Sequence, residues 1–216
     1  MFAGEQAELG KPSDTMSSSA TTAKRTSTVP PASAGPKPPV SFSSSVTIAE
    51  LAVLTGTYPV AIGSETVIHP RARLESLGGS ITIGRRCIIH ERTKIGYMGT
   101  EGKVVLDEDD RAVVLGDYVT VEVGAVVEAS GTIIGEGTVV GVGSRVGRGA
   151  VIGKYCTIAP QSEVPAGVTI PDHTVVYGEN KQRTDRRGVA ASMMKAQAQQ
   201  ITNLRTKIPS NPAKFQ

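Results

Sequence analysis

Three histidines and two cysteines are the residues of this 216-residue chain best suited to metal ligation or nucleophilic attack. His69 follows Ile68, His90 follows Ile89, and Glu122 follows Val121. Two imidazoles and a carboxylate are donors that zinc accepts, so a fold that stacks these three positions on one face offers a metal site. Cys87 and Cys156 are too few for a disulfide framework and are compatible with a reducing compartment. No Ser–His–Asp constellation has any spacing support. The stretch GTVVGVGSRVG, Gly137 to Gly147, comes nearest to a phosphate-cradling loop, but its glycines fall on a regular six-residue period that assigns them to turns. The residues therefore assign no catalytic group and no cofactor. They leave His69, His90 and Glu122 as the metal candidates.

The elements that must position these residues are set by the repeat. Ile134, Val140, Val146, Ile152, Ile158, Val164, Ile170 and Val176 follow one another at a spacing of six. Gly135, Gly141, Gly147, Gly153, Ala159, Pro165 and Pro171 come directly after the first seven. Four residues after the aliphatic the residue is usually small: Thr138, Ser144, Ala150, Cys156 and Ser162, then Val168 and Thr174. A short strand alternates its side chains, so the aliphatic and the residue two before it share the inward face. The chain then turns a corner, where Gly or Pro suits the backbone. Three such sides make one triangular coil, and stacked coils pair their strands in parallel about 4.8 Å apart. Cys87 and Cys156 fall on the small inward position and read as core residues.

The pattern runs upstream through Leu115, Val121 and Val127; Ile83, Ile89 and Ile95; Ile62, Ile68 and Leu74; and Ile48 and Leu54. Its longer steps are Leu54 to Ile62, Leu74 to Ile83, Ile95 to Leu115 and Val127 to Ile134. All four lie at the corner between the third side and the first, the one edge at which a stacked coil tolerates insertions. The spacing thus predicts an all-β parallel β-helix of hexapeptide repeats over 46–178, about seven coils. In it His69, His90 and Glu122 stack outward on the second side of successive coils. The longest excursion, 96–114, holds Asp107, Glu108, Asp109 and Asp110 and reads as an acidic surface loop.

Residues 1–45 contain 10 Ser, 5 Thr and 6 Pro, with Leu9, Val29 and Val40 as their only Leu or Val. Such a segment buries too little apolar area to offset the entropy of ordering it, and reads as a disordered tail. Residues 179–216 read as a basic linker followed by a helix from Gly188 to Lys207. Met194, Ala198, Ile201, Leu204 and Ile208 form its apolar stripe, and Pro209 ends it. The simplest place for that stripe is against the β-helix; presentation to a partner is the alternative. The chain has no Trp, and its three Phe are Phe2, Phe42 and Phe215, so the coils build their core from narrow β-branched side chains. A formal net charge of +3 is unremarkable, although residues 181–216 carry eight Lys or Arg against one Asp. No run approaches the ~18 apolar residues of a membrane span. Residues 1–15 hold Glu5, Glu8 and Asp14 and no apolar stretch, unlike a secretory leader. Neither nucleic-acid binding nor direct membrane insertion is expected.

Three family resemblances bear on function. The His69, His90 and Glu122 column resembles the zinc face of the gamma-class carbonic anhydrases, left-handed β-helix trimers with three His ligands per metal. In that family two ligands occupy this column and the third lies five residues before the second. Here that place holds Arg85, a cation that repels a metal. Hexapeptide acyltransferases share the repeat, but fold alone implies no activity. The stretches TVIHPRARL (Thr66–Leu74), VVLGDYVTVEVG (Val113–Gly124) and VTIPDHTVVYG (Val168–Gly178) carry a closer resemblance, to the dynactin subunit 6 family. So do the acidic loop after the third coil and the basic stretch and helix after the last. That resemblance implies a left-handed coil, against the usual right-handed crossover of parallel strands. It also implies a non-catalytic subunit of the dynactin pointed-end complex, cytoplasmic and cytoskeleton-associated, that supports cargo engagement for dynein-driven transport on microtubules. The implied partners are a dynactin subunit 5 homologue, which is a second β-helix, and other pointed-end subunits including the actin-related protein.

Overall fold

The computed structural model describes residues 35–98, 111–188 and 190–215, all within the unit Ser33–Gln216. It is a parallel β-solenoid with three flat sides. Side one stacks Val40–Phe42, Val60–Ile62, Ile81–Ile83, Val113–Leu115, Ile133–Ile134, Val151–Ile152 and Thr169–Ile170. Side two stacks Thr47–Ile48, Val67–Ile68, Ile88–Ile89, Thr120–Val121, Val139–Val140, Thr157–Ile158 and Thr174–Tyr177. Side three stacks Val53–Gly56, Arg73–Ser76, Lys94–Tyr97, Val126–Glu128, Arg145–Val146 and Glu163–Val164. Six coils are complete and a seventh has two sides.

The register is the one the hexapeptide spacing requires. Ile134 pairs with Ile152 and Ile152 with Ile170 on side one, and Ile48 with Ile68 and Ile68 with Ile89 on side two. These aliphatics are buried along the axis in a single core. The small inward positions do more than save space. Thr66 Oγ1 donates to the Gly84 carbonyl and accepts from the Cys87 amide; Thr138 Oγ1 repeats this with Gly153 and Cys156. The second coil is thereby tied to the third, and the fifth to the sixth, at the corner between sides one and two. Burial pushes the Cys87 thiol up to about 12 and raises that of Cys156, so both stay protonated and inert at neutral pH. At the same corner a Cβ on Gly135 would lie 2.6 Å from the backbone of Gly153, which is why this position stays glycine as the coils close up.

Both ends differ from the sequence reading. The first coil begins at Val40, inside the stretch assigned to the tail, because Val40–Phe42 pairs in register with Val60–Ile62. Phe42 lies over Ile62 in the inward column and packs against the core. At the other end, Lys181–Thr184 is a strand and not a linker; it pairs antiparallel with Thr174–Tyr177 and closes the edge of side two. Residues 1–34, and 99–110 of the acidic excursion, lie outside the described residues.

The helix spans Ala190–Lys207. Its stripe packs on side two: Ile201 is buried against Val67 and Ile88, flanked by Leu204 and Ile208. Gln197 Nε2 donates to the Arg86 carbonyl and fixes its lateral position. The segment after the helix then caps the first coil. The Ile48 amide donates to Ser210 Oγ, the Asn211 amide donates to the Ile48 carbonyl, and Phe215 packs on the core.

Candidate functional site

The stacking expected for the histidines is present. The His69 amide donates to the Ile89 carbonyl and the His90 amide to the Val121 carbonyl, placing His69, His90 and Glu122 on successive coils. The two imidazole rings lie 4.6 Å apart between centroids, with planes inclined by 31°. His69 Nε2 is buried with no hydrogen-bond partner among the described residues. Among those residues no group of three or more His, Cys, Asp or Glu is arranged to hold a metal ion. Arg85 lies in the turn before the strand Ile88–Ile89, and His90 directly follows that strand. Arg85 Nη2 pairs with Asp117 Oδ2 at 2.7 Å, and the Arg85 amide donates to Asp117 Oδ1. A guanidinium in an ion pair is no metal ligand, so the residues present do not compose the three-ligand set of a gamma-class enzyme. His173, the third histidine, stacks on Tyr155 at 5.3 Å, at the corner between sides one and two.

The histidine pair does have an electrostatic consequence. Both pKa values lie below the ordinary imidazole value of 6.5. For His69 the cause is burial, then the neighbouring His90, with Glu91 opposing; for His90 it is burial, with Glu122 and Glu91 opposing. The unfolded chain takes up protons near pH 6.5 that the folded chain refuses. Stability should therefore be level above about pH 6.5 and decline as the pH falls below it. The depressed carboxylates Glu65, Asp117 and Asp185 act in a lower window. Urea unfolding between about pH 7 and pH 5 should show this decline, and His90→Asn should flatten it. A wild-type profile that stays level to pH 5 would contradict the arrangement.

The three sides offer three different surfaces. Side two is covered along much of its length by the helix. A groove of about 220 Å³ remains beside it, lined in part by Thr120, Glu122, Val139, Tyr155 and Met194. Side three is charged in its upper coils. Side one is uncovered among the described residues and carries an apolar ladder. Val114, Ile133 and Val151 are register partners in its outward column, with Ile133 43% exposed and Val151 37%. Sequence reading fixed on the inward aliphatics and missed this ladder. Its signal was present, because the residue before the inward aliphatic is usually polar in a solvated side and here is Val or Ile in three successive coils.

Comparison with known proteins fits this architecture. Residues 131–166 match the family model described as bacterial transferase hexapeptide, six repeats. Two solved structures share the fold. A Bacillus cereus protein described as an acetyltransferase has a TM-score of 0.61 at 21% identity, covering 79% of this chain and 91% of its own. A hexapeptide transferase family protein of Anaplasma phagocytophilum has a TM-score of 0.62 at 20% identity, covering 79% and 96%. Dynactin subunit 6 of Nematostella vectensis is 34% identical over 125 residues, 57% of this chain and 67% of that protein. Repeat, register and corner chemistry together define a hexapeptide-repeat β-solenoid protein. Within that class, the chain belongs to the dynactin subunit 6 family.

Proposed function

We propose that the chain is a non-catalytic structural subunit of a dynactin-type complex, placed at its pointed end and paired with a second β-helix subunit. The observation that carries this reading is the 34% identity to dynactin subunit 6 along 125 residues. The likeness to the two transferase structures is a likeness of fold and brings no activity with it. The histidine pair acts in this reading as a stacked, half-buried surface element. The apolar ladder of side one is the face best suited to a second β-helix, since side two is occupied by the helix and side three carries exposed cations. A cytoplasmic, cytoskeleton-associated location and support of cargo engagement for dynein-driven transport on microtubules follow from membership of such a complex. So does contact with other pointed-end subunits, including the actin-related protein.

The test is co-expression with the dynactin subunit 5 homologue of the same source, followed by size-exclusion chromatography with light scattering. A one-to-one heterodimer is expected, both for the full chain and for a chain beginning at Gly35, which keeps the first strand. Ile133→Lys should dissociate it while leaving the melting temperature of the isolated chain nearly unchanged, because Ile133 already faces solvent. A stable homotrimer that ignores the co-expressed subunit would overturn the structural reading in favour of an enzymatic one.

A further inference from the structure

Side three carries a feature that the pairing reading leaves unused. Arg71, Arg73, Arg92 and Lys94, together with Leu51 and Val53, line an open groove of about 410 Å³. Arg73 and Lys94 are register partners on adjacent strands, and Arg71 and Arg92 precede them at the same corner of the two coils. The four cations thus form a two-by-two array with like charges one coil, about 4.8 Å, apart. Among the described residues none of the four makes an ion pair. By contrast Arg85, Arg86, Arg145, Lys154 and Arg187 each sit against a carboxylate. Arg71 and Arg92 also adopt left-handed backbone, φ 63° and 58°, where the matching positions of the next two coils are Gly124 and Gly143. Stacked like charges and arginines at a corner suited to glycine both work against folding stability. Leu51, 59% exposed, and Val53, 38% exposed, form an apolar wall on the same groove.

We propose that this groove is a docking site for an acidic, extended segment of a partner protein. Its carboxylates would sit on the array of Arg71, Arg73, Arg92 and Lys94, and an apolar side chain against Leu51 and Val53. Guanidinium groups bind carboxylates through paired, charge-assisted hydrogen bonds, and Lys94 adds a point charge. A peptide fits better than other polyanions. The array spans two coils only, the aromatic ring nearest it, Tyr97, is already covered by Lys94 Nζ at 4.8 Å, and a lipid surface does not enter a groove. The apolar wall has a use only for a ligand with apolar side chains. This holds whichever complex the chain joins.

The experiment measures fluorescence anisotropy of a labelled peptide of about twelve residues, rich in Asp and Glu around a central Leu, with the full-length chain. Binding is expected at about 50 mM salt and should weaken severalfold by about 200 mM, because the charges are exposed. Arg73→Gln combined with Lys94→Gln should weaken it about tenfold or more. Both positions lie in regular strand, and the double variant should melt no lower than the parent, since one like-charge pair has gone. Lys195→Gln combined with Lys207→Gln, on the exposed face of the helix, should leave binding unchanged. The proposal is overturned by no binding at low salt, or by equal binding to the parent and the Arg73/Lys94 variant. It is overturned equally if a single-stranded oligonucleotide, phosphatidylserine vesicles or inorganic phosphate binds as tightly with the same dependence on Arg73 and Lys94.

Discussion

Ile152→Asp should yield no stably folded protein, whereas Ile152→Val should unfold within about 0.5–1.5 kcal/mol of the parent. Ile152 is 1% exposed and lies between Ile134 and Ile170 in the inward column of side one. Burial of such a side chain contributes about 1.5–3 kcal/mol. The aspartate forfeits that and places a carboxylate between two buried isoleucines. An isolated buried charge costs more than a small domain's whole stability, so the chain would take up a proton or unfold. Valine removes one methylene and leaves the register intact. In a solenoid the damage has a direction as well. Each coil is stabilised by its two neighbours, so a lesion at the fifth-to-sixth coil boundary should loosen the later coils first. Circular dichroism and urea unfolding of the two variants provide the test. An aspartate variant that melts like the parent would mean that Ile152 does not face inward.

That register was legible in the sequence because the solenoid imposes the same environment at every sixth position. Ile134, Ile152 and Ile170 meet one steric requirement three times, and repetition turns a weak local preference into an unambiguous period. The stacking of His69 on His90 followed from the same period. The ends were less legible because they break the translation symmetry. Val40–Phe42 lacks the small-residue spacing of the interior, and Phe42 stands where the interior coils of side one carry Ile or Leu. Lys181–Thr184 has no hexapeptide signal, since an antiparallel edge strand owes its place to the backbone of Thr174–Tyr177 and to no inward aliphatic. The cation array went unread for a different reason. The pattern isolates what faces inward, whereas Arg71 and Arg92, or Arg73 and Lys94, are related only through the outward columns. Aligning RARL, Arg71–Leu74, under RTKI, Arg92–Ile95, shows two cations repeating at the same places.

Ile201→Asp should release the C-terminal helix from side two and make the chain prone to aggregate. Ile201 is 2% exposed and touches Val67 and Ile88, both fully buried although both point away from the coil axis. Those two side chains pack against Ile201 and Leu204 of the helix and Ile208 just after it, so the contact stabilises both partners. Losing a buried aliphatic and burying a charge in its place costs several kcal/mol, more than an 18-residue helix draws from its own propensity. Release has a second effect through connectivity. The segment after the helix supplies Ser210 Oγ to the Ile48 amide, the Asn211 amide to the Ile48 carbonyl, and Phe215 to the core. Once the helix departs, that cap is tethered to nothing nearby, and the first strand of side two presents unpaired amides and carbonyls beside a bare apolar stripe. An exposed parallel edge next to apolar surface is a template for association with another chain. The expected result is a lowered melting temperature together with higher oligomers in light scattering. Gln200→Glu, one residue away on the exposed face, should do neither. Deletion of residues 209–216 alone should keep the helix docked on Val67 and Ile88 and still promote association through the uncapped edge. An Ile201→Asp chain that remains monomeric with an unchanged melting temperature would mean that the helix neither covers side two nor holds the cap in place.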